Sequence, residues 1–232
     1  MFLRYRTTAD LTIMFRALLV LSFFCYVQSK LVNLSCNHVR TFVEGHNVRR
    51  RWLAERRIFD QPAAAEMNAV VWDEELAEKA AKWADKNIHE HNPDRTLASR
   101  RFETGENIYW YGTTDANFLF NVDQAMKSWF DEHQYYKYGP LLSKDFDGSA
   151  TQEIGHYTQM AWSDTTYIGC AVSKVIDGRW NRYYVVCNYG PGGNYIGQAP
   201  YKSNGTASYQ LQCNVKQCRY PYGDHCWGLE YV

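Results

Sequence analysis

Apolar positions at helical spacing mark two stretches of this chain. Leu76, Ala80, Trp83 and Asn87 recur at helical spacing, and His91 falls on the same stripe one turn later. Asp73 is placed to cap that helix, Glu74 and Glu75 suit the positive end of its dipole, and Pro93 marks its stop. A later stripe of Val122, Ala125, Trp129 and Tyr136 predicts a helix over 122–136. An earlier helix is expected from Phe42 or Val43 through His46, Arg50 and Leu53. It carries Arg49, Arg50, Arg51, Arg56 and Arg57, read as a solvated basic face rather than a lipid-seeking one. Runs near 166–173 and 182–189 are β-prone, and Asp177-Gly178 between them signals a turn. Helices followed by a late antiparallel hairpin predict an α+β or layered-sandwich fold.

The chain's start changes the picture. Ala17 to Val27 is an apolar run behind Arg16, too short to span a bilayer and suited to a signal sequence. Cleavage is expected after Ser29, with Met14 an alternative start. Segments 1–29, 30–42, 43–201 and 202–232 then read as signal, N-terminal arm, main domain and cysteine-bearing tail. Without 1–29 the chain keeps 22 basic and 24 acidic side chains. That balance argues against a nucleic-acid binder, and no later segment reads as a membrane span.

Cys25 leaves with the signal, so six cysteines remain: Cys36, Cys170, Cys187, Cys213, Cys218 and Cys226. In an exported chain these read as disulfides rather than metal ligands. Folding the hairpin with its centre between Gly178 and Arg179 sets Cys170 opposite Cys187, where Cβ atoms lie about 4.5–5.5 Å apart. One tail cysteine must then reach Cys36 if no thiol is free; the residues do not say which. Asn33 and Asn204 stand in glycosylation sequons.

Two dense segments carry a resemblance, Gly155-His156-Tyr157-Thr158-Gln159-Met160-Ala161-Trp162-Ser163-Asp164-Thr165 and Tyr184-Val185-Val186-Cys187-Asn188-Tyr189-Gly190-Pro191-Gly192-Gly193-Asn194-Tyr195. With His46-Asn47-Val48-Arg49-Arg50 and Gly105-Glu106-Asn107-Ile108, they resemble the signatures of the CAP superfamily. That superfamily includes cysteine-rich secretory proteins, antigen 5, pathogenesis-related proteins and worm venom allergen-like proteins. The likeness runs from about residue 42 to 201. It implies a three-layer α-β-α sandwich followed by a short hinge-like tail. It also implies a cleft of two histidines and two acids, here His91, Glu106, Glu132 and His156, with His89 a rival for the place of His91. Asn87 stands where many relatives have a cysteine, so the bridge anchored there is absent.

Glu132 falls in the apolar stripe of its helix, and a carboxylate there needs a partner such as a histidine N–H or a metal. Two imidazoles and two carboxylates can hold Zn²⁺ or another divalent ion, but catalytic zinc usually has three protein ligands. No cofactor is required on this reading. No His-Glu-x-x-His or Gly-x-Ser-x-Gly motif is present. The resemblance therefore implies a secreted, non-enzymatic binder of sterols, fatty acids or similar small hydrophobic ligands. Leu53, Met126 and Trp129, or Trp110 with its neighbours, are candidates to line a groove. A metal-dependent hydrolase and an immunomodulatory ligand for an extracellular receptor are the alternatives.

Overall fold

The computed structural model describes residues 29–226; the expected signal sequence lies outside them, apart from Ser29. The elements run β1 (Ser29–Leu31), α1 (Cys36–Ala54), β2 (Val71–Trp72), α2 (Glu74–Ala84), β3 (Gly105–Thr113), α3 (Asp123–Asp131), α4 (Gly155–Met160), β4 (Tyr167–Asp177) and β5 (Trp180–Gly190). Strand order is β1-β4-β5-β3, antiparallel throughout, with β2 added in parallel to β4. Among the described residues no helix is long and apolar enough to cross a membrane.

Two cores lie on opposite sides of the sheet. Ala80, Trp83 and Ala84 of α2 pack on Ile108, Ala171 and Val186. The larger core joins α1, α3 and α4 to the other face through Phe42, Met126, Trp129, Tyr157, Val172 and Val185. Helix, sheet and helix thus form the three layers. The β4–β5 hairpin pairs Asp177 with Trp180 and Cys170 with Cys187, and those cysteines are bonded with Cα atoms 4.1 Å apart.

Four sequence expectations are corrected. First, α1 begins at Cys36, so residues 36–42 are helix rather than arm. Ser35, within the Asn33 sequon, is its N-cap, and Val39, Phe42 and Val43 extend the buried stripe. Second, the basic face is not solvated as a unit. Arg51, Arg56 and Arg57 are exposed, but Arg49 and Arg50 are buried. All five N–H donors of Arg50 meet backbone carbonyls: Nε to Asn68 (2.7 Å), Nη1 to Met160 (2.9 Å) and Trp162 (2.8 Å), Nη2 to Ser163 (3.1 Å) and Thr165 (3.0 Å). Burial lowers the guanidinium to about 9, so it stays charged at neutral pH.

Third, α2 ends at Ala84, well before Pro93. Asn87 takes a left-handed conformation, φ 56°, and its N–H closes on the Ala84 carbonyl. Its side chain accepts from Ser173 Oγ at 2.7 Å, which ties this helix end to β4 without a bridge at Asn87. Fourth, Leu53, Met126 and Trp129 line no open groove; all three are enclosed in the main core. The cause is the close approach of α1 and α3. A Cβ on Gly45 would lie 2.5 Å from Met126 Cε, so the space between the helices is already filled. Trp110, by contrast, is half-exposed on β3.

The tail is no free appendage. Cys36 pairs with Cys226 and Cys213 with Cys218. Ala69 and Trp72 donate backbone hydrogen bonds to Gln212 and Pro221. Asn33 and Asn204 are both exposed.

Candidate functional site

Glu132 follows α3 directly, where the chain tightens into a single 3₁₀ turn. Its Oε2 accepts from the backbone N–H groups of His156 and Tyr157, both at 3.0 Å, at the start of α4. Its Oε1 lies 2.6 Å from His156 Nδ1. A carboxylate oxygen can only accept here, so Nδ1 carries the proton and Nε2 is left free. Trp129 stacks on the imidazole with ring centroids 6.2 Å apart and 18° between planes. One side chain therefore sets the position, tautomer and rotation of His156.

A second pair repeats the device with looser walls. His91 is on an irregular segment rather than on α2, and it is 62% exposed. Trp83 Nε1 holds that segment by donating to the Glu90 carbonyl at 2.8 Å. Glu106 opens β3 and is nearly buried; its Oε1 accepts from His91 Nδ1 at 3.0 Å and from Asn92 N–H at 2.9 Å. Again Nδ1 is the protonated nitrogen. Among the described residues neither histidine's Nε2 has a hydrogen-bond partner.

His91, Glu106 and His156 line one cavity of about 640 Å³, with Glu132 behind His156. Asn188, Glu153, Phe146, Ile154 and Ile196 also line it. His89 is not part of this lining, and burial lowers its basicity. It is not the ring that Glu106 holds. Glu153 was not foreseen. Its Oε2 lies 3.7 Å from His156 Nδ1, and with Glu132 it forms the acid–imidazole cluster close enough to share an ion. That point is already bridged by the His156–Glu132 proton.

The cleft floor is locked by the two dense segments. Gln159 Oε1 accepts from Gly193 N–H at 2.9 Å, and Asn194 Nδ2 donates to the Gly155 carbonyl at 2.8 Å. A Cβ on Gly192 would fall 2.7 Å from Gly105 N, so only glycine admits this approach. Beneath lies a buried relay. Asn107 Nδ2 donates to the His156 carbonyl (3.0 Å) and to Tyr189 Oη (3.1 Å), Tyr189 donates to His46 Nε2 (3.0 Å), and His46 Nδ1 donates to the Phe42 carbonyl (2.7 Å). Burial drives His46 down to about 3, so it is a neutral link and not a ligand.

Comparison with known proteins bears on the family and the fold. Residues 37–189 match the model of the CAP, or cysteine-rich secretory protein, family. Venom allergen 5 of Vespa mandarinia is 42% identical over 140 residues, 60% of this chain and 64% of that protein. The chain thus matches just under two thirds of that relative's length. A venom allergen 3 homolog of Dinoponera quadriceps is 40% identical over 163 residues, covering 67% of this chain and 68% of its own. Among solved structures, NaASP2 with Zn²⁺ superposes with a TM-score of 0.59 at 30% identity, over 74% of this chain and 88% of that one. The Schistosoma mansoni venom allergen-like protein 4 gives 0.57 at 28% identity, over 74% and 97%. Signature segments, layered sandwich and family match converge: the chain belongs to the CAP family and is venom allergen-like.

Proposed function

We propose that this chain is an extracellular, non-enzymatic binding protein whose cleft holds a divalent cation, Zn²⁺ first, weakly and exchangeably. One observation carries the reading: two imidazoles, each fixed at Nδ1 by a carboxylate and without a partner at Nε2 among the described residues, line one cavity. A carboxylate behind a histidine sets the tautomer and raises the basicity of the ligating nitrogen. Two protein ligands are one short of the usual catalytic set, which favours exchange over chemistry. The solved neighbour NaASP2 with Zn²⁺ supports the choice of metal. Three disulfides and the venom allergen relatives support an extracellular place. The test is calorimetric titration of Zn²⁺ into chelator-treated protein. Saturable binding is expected, lost in His156→Ala and His91→Ala with the fold intact; no saturable heat, or unchanged binding in both variants, refutes the metal reading.

The sterol or fatty-acid reading has a different support. Leu119 is 89% exposed beside Phe118 and Phe120, whose rings pack on Tyr111 and Tyr183. An apolar tip on an aromatic base suits a hydrophobic ligand. Solvent extraction with mass spectrometry, and saturable binding of labelled sterol or palmitate weakened by Leu119→Asp, would uphold it. Empty extracts with no saturable binding would remove it.

A further inference from the structure

Beside the two imidazoles the cleft wall carries a second polar feature that the metal reading does not use. Asn188 is wholly buried on β5, yet neither its Nδ2 nor its Oδ1 has a partner among the described residues. Glu106 is its cross-strand partner on β3, and Glu106 Oε2 is likewise buried and unpartnered, since Oε1 alone takes His91 and Asn92. Directly opposed side chains lie on the same side of a sheet, about 5 Å apart at Cβ. On the other flank β4 offers Gly169, where a Cβ would meet Ala77 N at 2.1 Å, so no β4 side chain can reach the amide. Both residues line the cavity. Buried polar groups without partners are rare and costly, and two facing each other ask for a ligand.

We propose that Asn188 and Glu106 form a subsite for a primary carboxamide group. The chemistry is selective by elimination. The two residues present acceptors at Glu106 Oε2 and Asn188 Oδ1, and two N–H donors at Asn188 Nδ2. An anion would face the Glu106 carboxylate and could give nothing to Oδ1. An ammonium or guanidinium would serve both acceptors but leave Nδ2 unpaired. A carboxamide alone engages all three atoms: its carbonyl accepts from one N–H of Nδ2, one of its own N–H groups goes to Oδ1 and the other to Oε2. This deepens the reading of the cleft as a binding site but needs no metal at the imidazoles.

The test is nuclear magnetic resonance on ¹⁵N-labelled, chelator-treated protein, following the Asn188 side-chain amide. Acetamide is expected to shift that signal saturably, while N,N-dimethylacetamide and acetate leave it in place. Asn188→Leu should abolish the site, read from the neighbouring Asn107 amide. Its Tm should match or exceed that of the parent, because the amide it removes has no partner. Glu106→Gln turns one acceptor into a donor and should weaken acetamide about tenfold. Should Asn188→Leu not fold, Glu106→Gln carries the test. A lack of saturable shift, an equal response to dimethylacetamide or acetate, or an ordered water that acetamide fails to displace would overturn the proposal. Zinc titration reads the imidazoles separately, so loss of one binding event with retention of the other shows which reading has failed.

Discussion

The buried relay beneath the cleft and the cleft itself are built from the same kinds of residue and behave in opposite ways. Arg50, His46, Asn107 and Tyr189 are enclosed, and their nitrogen and hydroxyl groups meet acceptors or donors within 3.1 Å. His91, His156, Glu106 and Asn188 each keep an atom with no partner among the described residues. The signature segments supply members of both sets, His91 excepted. Between these two sets the difference is pairing rather than residue type. A fully paired buried network is rigid, and its rigidity positions the unpaired atoms above it.

The contrast can be broken most severely at Arg50. Arg50→Met should cost about 3–5 kcal/mol, since five carbonyls each lose an N–H bond at once, three of those bonds fully buried. Chemical denaturation would measure it, and a loss under about 1 kcal/mol would mean the guanidinium is not the organiser described. Next comes Glu132→Ala, which strips an acceptor from two backbone amides and one imidazole. A loss of about 2–3 kcal/mol is expected. Because Glu132 also orients His156, zinc affinity should fall with it, whereas Arg50→Met acts through stability alone.

Acid sharpens the comparison. His46 is depressed to about 3 in the folded state, against about 6.5 in an unfolded chain. Between those values the unfolded state binds more protons, so stability falls as pH drops from 6.5 toward 3. His46→Gln should flatten that slope relative to the parent in a series of thermal melts; parallel slopes would exclude His46 as a cause. The smallest effect is expected at His91. His91→Ala should change stability by no more than about 0.5 kcal/mol, because the ring is exposed and Glu106 Oε1 keeps Asn92. The same variant should nevertheless lose zinc, which separates binding from folding.

Much of the architecture was legible because it rests on short-range rules. Asp73 caps α2 as its type and place demand, with Oδ1 3.0 Å from Leu76 N. The Asp177-Gly178 turn sets a register in which Cys170 meets Cys187. Glu132 on an apolar stripe announced the need for a partner, which proves to be an imidazole N–H and two amides. The run of arginines misled because a helical wheel shows which residues share a face, not what that face meets. Arg50 points at a bundle of carbonyls from residues 68 and 160–165, distant in the chain. The early end of α2 had a local signal in Asn87, whose type tolerates a left-handed backbone.

The sequence alone settled the family, the layered fold and the hairpin register; of the cleft's ionisable lining it named His91, Glu106 and His156 but not Glu153. These follow from periodicity, turn chemistry and dense motifs, all carried by neighbouring residues. Only the tertiary structure decided which polar atoms are satisfied, how the tail cysteines pair, and that α1 and α3 close on each other without a groove. Those outcomes depend on segments far apart in the chain meeting at hydrogen-bond or van der Waals distance, and no local pattern records a contact made across a hundred residues.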